Sequence, residues 1–250
     1  MAELYILASD ELPPQYQGAH RDFRIGPLGT AERVEFEDFL FQSGERIKFS
    51  APSFAIWMPG SGTTVQSNRS IILVAEFAFA LLTVRGHPKF SYAAVMDGGK
   101  CKDFQQLPSN LSTFATAKFS SNFKRDGLSQ WLYRCLLAHK KNVSHIDVVA
   151  HRYVRYSRFL EPADALFDLC VALESLLNAQ TEVSFRFGVS LVKLLGLKGS
   201  DAQAAADLFG RLYALRSKLA HGAPDTQKLL SKMQPDLEKI RNAARNILVA

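Results

Sequence analysis

Two hydrophobic rhythms divide the chain. Up to about residue 126 the apolar side chains come in short runs, several of them alternating, with turn residues between; beyond it they recur at a spacing near 3.6. LYIL (Leu4 to Leu7) reads as a strand, and turn signals follow at Pro13-Pro14 and at Gly26-Pro27-Leu28-Gly29. VEFEDFLF (Val34 to Phe41) begins with strand-like alternation and can close as a helical turn. IKFSAPSFAIWM (Ile47 to Met58) is β-prone, with Pro52 marking an edge or a bend. FSYAAVMDGG (Phe90 to Gly99) and FATAKFSSNF (Phe114 to Phe123) alternate again. IILVAEFAFALLTV (Ile71 to Val84) is nearly continuous and reads as a buried helix over 70–85, capped by Ser70 or Asn68 and stopped before Gly86 and Pro88. PGSGTT (Pro59 to Thr64) has the glycines of a phosphate loop but neither its Lys nor its spacing, so it reads as a turn.

From Asp126 the pattern is helical. Asp126 suits the cap of a helix with Leu128, Trp131, Leu132, Cys135 and Leu136 on one face. Ser144 opens the next, SHIDVVAHRYVRYSRF. Pro162 sits in the first turn of a third, whose face is Leu166, Leu169, Cys170, Leu173, Leu176 and Leu177. Ser184 or Glu182 opens a fourth that ends at Gly196, and Ser200 or Asp201 a fifth that runs to Ala220 or His221. PDLEKIRNAARNILVA makes the last. The expected fold is therefore an α+β N-terminal unit over 1–126 followed by an all-α antiparallel helical bundle over 127–250, with short connections.

Length and composition add limits. The 250 residues, 47% hydrophobic, suffice for one large domain or two small ones and argue against global disorder. The net charge of +6 is unevenly placed: 1–126 holds 13 basic and 13 acidic side chains, and 127–250 holds 17 and 11. A basic excess in the helical half permits an anionic partner such as RNA. Three scattered cysteines, Cys101, Cys135 and Cys170, point to a reducing compartment and no disulfide framework. The N-terminus has two early acids and no basic segment, so it is no signal peptide. The longest apolar run is shorter than a membrane span and carries Glu76. A cytoplasmic protein without a membrane segment is the expectation.

The candidate chemistry centres on YALRSKLAHG (Tyr213 to Gly222), which ends a helix as R-x-x-x-x-H with Arg216 and His221. Gly222 and Pro224 terminate the helix, and Arg216, Lys218 and His221 are cations where the helix dipole favours them. Upstream stand Ala172-Leu173-Glu174 on one helix and Glu182 with Arg186 at the start of another. In that order, with Arg216, Ser217, Lys218, His221 and Gly222, the three landmarks resemble the HEPN superfamily, most closely its Apea-like branch, over roughly 127–250. Residues 1–126 carry no paired carboxylates, metal-ligand spacing or nucleophile motif.

The resemblance implies a homodimer that brings two R-x-x-x-x-H motifs to one cleft, and metal-independent endoribonuclease activity of a toxin or antiphage effector. The ribose 2′-OH would attack the adjacent phosphate, giving a 2′,3′-cyclic phosphate. His221 would transfer the proton and Arg216 would stabilise the phosphate charge, with Lys218 as a further phosphate contact and no cofactor. Ser217 stands where many active members of the superfamily carry Asn, Asp or His. On an ideal helix Arg216 and His221 lie roughly 140° apart, so they converge only if the helix unwinds near His221 or a second subunit supplies the partner.

Other residues have narrower readings. Glu174 borders the apolar stripe and wants a cationic partner such as Arg216 or His221, either to orient the site or to fix the fold. Glu182 and Arg186, four apart, make a structural pair. The stretch Tyr133 to Phe159 interleaves Arg134, Lys140, Lys141, Arg152, Arg155 and Arg158 with Tyr133, Tyr153 and Tyr156, a pattern that suits single-stranded RNA or else a solvated face with inward tyrosines. His139, His145 and His151 recur every six residues, which gathers no metal site. The alternatives to an enzyme are a non-catalytic RNA-binding or dimerisation module, and a toxin silenced by a partner protein on its basic face.

Overall fold

A computed structural model describes residues 2–8, 17–44, 54–60, 62–85, 90–107, 118–119, 130, 133–134, 143–158, 162–177 and 183–249. The chain divides into two compact units, Met1–Val143 and Ser144–Ala250, so the division falls later than the change of rhythm near residue 126.

The first unit is built on an antiparallel sheet of six strands. These are β1 (Glu3–Ala8), β2 (Gly18–His20), β3 (Phe23–Pro27), β4 (Phe54–Pro59), β6 (Phe90–Asp97) and β7 (Lys100–Gln106), in the spatial order β2-β3-β4-β1-β6-β7. β5 (Thr83–Arg85) and β8 (Lys118–Phe119) form a separate pair. Helices α1 (Thr30–Gln42) and α2 (Arg69–Leu82) accompany the sheet. Strand β1 is central: Tyr5 faces Trp57 of β4 on one side and Ala94 of β6 on the other. Because side chains alternate along a strand, its two faces feed two cores. Leu4 and Ile6 join Ile56, Met58, Ala93 and Val95 beneath Ala75, Ala78 and Phe79 of α2. Tyr5 and Leu7 join Trp57, Ala94 and Met96 beneath Phe36 of α1.

Helix α1 corrects the strand-like reading of VEFEDFLF. Phe36 and Leu40, four apart, are buried, whereas Val34 and Phe41 are exposed, which is the spacing of a helix laid on a sheet. The alternation seen in Val34-Glu35-Phe36-Glu37 is too short to distinguish the two periods. Phe36 meets Tyr5 edge-on at 5.5 Å, and Glu35 accepts the backbone N–H of Cys101 at 3.0 Å, tying α1 to β7. That strand is mostly polar and was not legible in the pattern. It follows a two-residue turn in which Gly98 (φ 59°) and Gly99 (φ 78°) both adopt the left-handed region that tight hairpins require. The helix expected over 70–85 ends at Leu82, and its tail becomes β5.

The turn at Pro59 to Thr64 is held by its own polar groups. Asn68, fully buried, donates to the carbonyls of Gly62 (3.1 Å) and Thr64 (2.7 Å). The Val65 N–H donates to Asp103 at 2.6 Å, and the Thr64 and Ser67 N–H groups are met by each other's hydroxyls. These donors are satisfied at home rather than turned to a phosphate.

Tyr133 belongs to this unit as well. Its ring lies 5.7 Å from Phe23 and 5.5 Å from His20, and its hydroxyl accepts a hydrogen bond from Arg21. Most of the helix expected after Asp126, with Trp131 and Cys135, lies outside the described residues, as do most of 114–123 and all of 47–53.

The second unit is helical: α3 (Val143–Arg158), α4 (Pro162–Leu177), α5 (Val183–Leu194), α6 (Gly199–Ala220), α7 (Thr226–Met233) and α8 (Leu237–Val249). α6 packs against α4, α5 and α7. Its interior is filled by Leu169, Leu173, Phe187, Leu191, Phe209, Leu212 and Leu215, all buried, with Phe187 edge-on to Phe209. Helix α7 lies in a stretch where the sequence reading placed none. Among the described residues no helix is long and apolar enough to cross a membrane.

Candidate functional site

The end of α6 carries the R-x-x-x-x-H residues, and its geometry follows from Gly222. That residue takes φ 64°, the left-handed conformation that suits glycine just past a helix. It lets the Gly222 N–H reach the Leu219 carbonyl (3.2 Å) and the Ala223 N–H reach the Lys218 carbonyl (3.0 Å), closing the last turn. The His221 N–H still bonds the Ser217 carbonyl at 3.1 Å. The helix is therefore regular up to His221, and it does not unwind to turn the imidazole toward Arg216.

The two side chains accordingly have different surroundings. His221 is exposed. Arg216 is partly buried against α4, where its Nη2 donates to Glu174 Oε2 at 3.1 Å. Its guanidinium lies over the Phe167 ring at 5.6 Å and near Tyr213 at 6.0 Å. Its Nε is shut from solvent and has no hydrogen-bond partner, so one donor of the fork is unused. Burial raises the Glu174 carboxyl above its ordinary range, and Arg216 opposes that rise. Burial also raises the Tyr213 phenol, with Glu174 adding to it. Cys170, buried one turn before Glu174, has its thiol pushed up by burial and then by that carboxylate, so it is no thiolate nucleophile.

Lys218 is engaged at the surface. Its ammonium meets Asp225 at 2.7 Å, bridging the turn between α6 and α7, and this contact lowers the Asp225 carboxyl. Asp225 stands at the cap position of α7 but makes no side-chain cap there, because its carboxylate is turned to Lys218. Ser217 lies partly buried beside Arg216.

The basic stretch is arranged otherwise than as an open strip. Arg152 and Arg155, on one face of α3, converge on Asp168 of α4 at 2.7 and 3.0 Å. Asp168 is 2% exposed, a buried carboxylate held by two cations that reach the surface. The pattern reading missed it. The signal was present as a lone acid inside the apolar run Leu166-Phe167-Asp168-Leu169-Cys170. Tyr153 is buried, and Tyr156 stands 5.4 Å from it with its hydroxyl accepting from Arg241 Nε at 2.8 Å, so neither ring is an open stacking platform. Lys140, Lys141 and Glu182 lie outside the described residues, as does the side chain of Arg158; Arg186 is exposed. Among the described residues no three His, Cys, Asp or Glu side chains are grouped to hold a metal ion.

No family model matches the chain, and comparison with curated proteins and with solved structures gave no match.

Proposed function

We propose that the chain is a metal-independent endoribonuclease of HEPN type that works as a homodimer, its helical unit being an Apea-like HEPN bundle. The observation that carries this reading is the division of labour at the end of α6. Arg216 is held by Glu174 through Nη2, partly exposed, while His221 stands exposed at the helix cap. A guanidinium held by a carboxylate is prepared for bidentate contact with a phosphate. An exposed imidazole is available for proton transfer at the ribose 2′-OH or at the leaving oxygen. The regular helix keeps the two apart within one chain, so Arg216 of one chain would act with His221 of a second. Glu174 is a positioning residue in this scheme, and a toxin or antiphage role is consistent with such an activity.

One observation favours the second reading, a non-catalytic RNA-binding or dimerisation module. Arg216 and Lys218, the two cations that would meet a phosphate, are already paired with Glu174 and Asp225. The experiment that separates the two readings is incubation of the purified protein with mixed RNA in EDTA, beside Arg216→Ala and His221→Ala. Wild-type cleavage giving 2′,3′-cyclic phosphate ends, reduced about 100-fold or more in each variant, supports the enzyme. RNA binding without cleavage, unchanged in His221→Ala, supports the module. Equal cleavage by all three proteins contradicts any role for this helix end.

A further inference from the structure

The tyrosines that the basic stretch offers for stacking are buried or engaged, but two other rings stand beside Arg216. Phe167 precedes Glu174 by seven residues on α4, and Tyr213 precedes Arg216 by three on α6. Each therefore shares a helix face with one member of the Glu174–Arg216 pair. The guanidinium carbon of Arg216 lies 5.6 Å from the centre of the Phe167 ring and 6.0 Å from that of Tyr213. Both rings reach the surface in part, and so does the Arg216 side chain, which is 28% exposed. Tyr213 is backed by the fully buried Phe187, with ring centres 5.5 Å apart, which seats it on the core. By contrast Phe187, Phe209 and Tyr153 are themselves buried, and the Tyr156 hydroxyl is taken by Arg241.

Aromatic rings left partly in water beside a partly exposed guanidinium suit a ligand that joins a flat π-faced group to an anion. A nucleotide is such a ligand. Its base and its phosphate are joined through one sugar, so the ring that takes the base must stand next to the cation that takes the phosphate. A base paired within a duplex has both faces covered by its stacked neighbours, whereas an unpaired base can lie on a ring. The geometry points to a nucleobase subsite formed by Phe167 and Tyr213, which takes unpaired bases of single-stranded RNA next to the phosphate met by Arg216. The subsite rests on the reading of Arg216 as a phosphate contact. Because stacking uses the face of the base and not its edge, it tolerates any of the four bases.

The test is fluorescence anisotropy of two labelled oligomers with the full chain at constant ionic strength. One is a single-stranded 2′-O-methyl oligoribonucleotide, which cannot be cleaved through its 2′ oxygen; the other is an abasic sugar-phosphate oligomer with the same number of phosphates. Wild type is expected to bind the base-bearing strand about tenfold or more tightly than the abasic one. Phe167→Leu and Tyr213→Leu are each expected to shrink that difference several-fold while binding the abasic oligomer as wild type does. Tyr213→Phe, which keeps the ring, is expected to retain the difference. Rings that served only to pack Arg216 would, when removed, weaken both oligomers alike. That result overturns the subsite, and so does a wild type that binds neither oligomer or binds both equally. Should one leucine variant fail to fold, the other and the wild-type comparison carry the test. Cleavage of ordinary RNA in EDTA is scored separately. Ring-dependent binding without cleavage keeps the subsite and removes the nuclease; cleavage without ring dependence keeps the nuclease and removes the subsite.

Discussion

The two units differ in what several of their enclosed polar side chains are bonded to. In the sheet unit β1 and β4 are lined on both faces by apolar side chains, and three of its polar side chains hold backbone: Asn68 and Asp103 hold the turn after β4, and Glu35 fastens α1 to β7. In the helical unit the interior admits charge. Asp168 is clamped by two arginines, and Glu174 is held against Arg216. Helices satisfy their own backbone, so their side-chain polar groups are free to face one another. The difference teaches where to look for chemistry. Buried polar groups committed to backbone make a scaffold, whereas charges committed only to other side chains can exchange partners with a ligand.

The comparison breaks first at the scaffold. Phe36→Ala removes the ring that α1 sets against Tyr5 and Phe104. It is expected to cost about 3–5 kcal/mol of stability in a urea titration; a loss below about 1 kcal/mol would mean that this face of the sheet is not a packed core. The next effect belongs to the helical unit. Asp168→Ala leaves Arg152 and Arg155 without their counter-charge, but those arginines are 35% and 47% exposed, so water takes over part of the interaction. The expected loss is about 2 kcal/mol by the same measurement, and no loss would show the clamp to be incidental.

The smallest effect is a pH dependence. Glu174 has its folded-state pKa raised by burial, against the opposing pull of Arg216. A carboxyl with a raised folded pKa binds its proton more tightly in the folded state. Its contribution is therefore fully present below the unfolded value and is lost as pH rises through the folded one. Stability should fall slightly as pH increases above the ordinary glutamate value of 4.5, and Glu174→Gln should remove that slope. A slope that persists unchanged in the variant would place its origin elsewhere.

The sequence showed the helical unit more clearly than the sheet. The spacing of Leu166, Leu169, Cys170 and Leu173 made α4 legible, and Gly222 with Pro224 located the end of α6, because helix periods and caps are local signals. Strand β7, Lys-Cys-Lys-Asp-Phe-Gln-Gln, was not legible: it is an edge strand whose membership depends on pairing with β6 and on the Gly98-Gly99 turn. Helix α1 was misread because four alternating residues fit both periods. At the site, Glu174 was legible as an acid in need of a cation, whereas the clamp on Asp168 required knowing that α3 and α4 lie side by side. Periodicity within one segment does not carry that information.

In the proposed function, Arg216 and His221 from two chains would cleave RNA together at the end of α6. Mixing Arg216→Ala with His221→Ala, after partial unfolding and joint refolding to exchange subunits, tests it most directly. Each variant alone should be inactive on RNA in EDTA, and the mixed dimers should recover part of the wild-type cleavage, because each retains one pair made of an intact Arg216 from one chain and an intact His221 from the other. No recovery in verified mixed dimers, with the wild type active, would contradict the account.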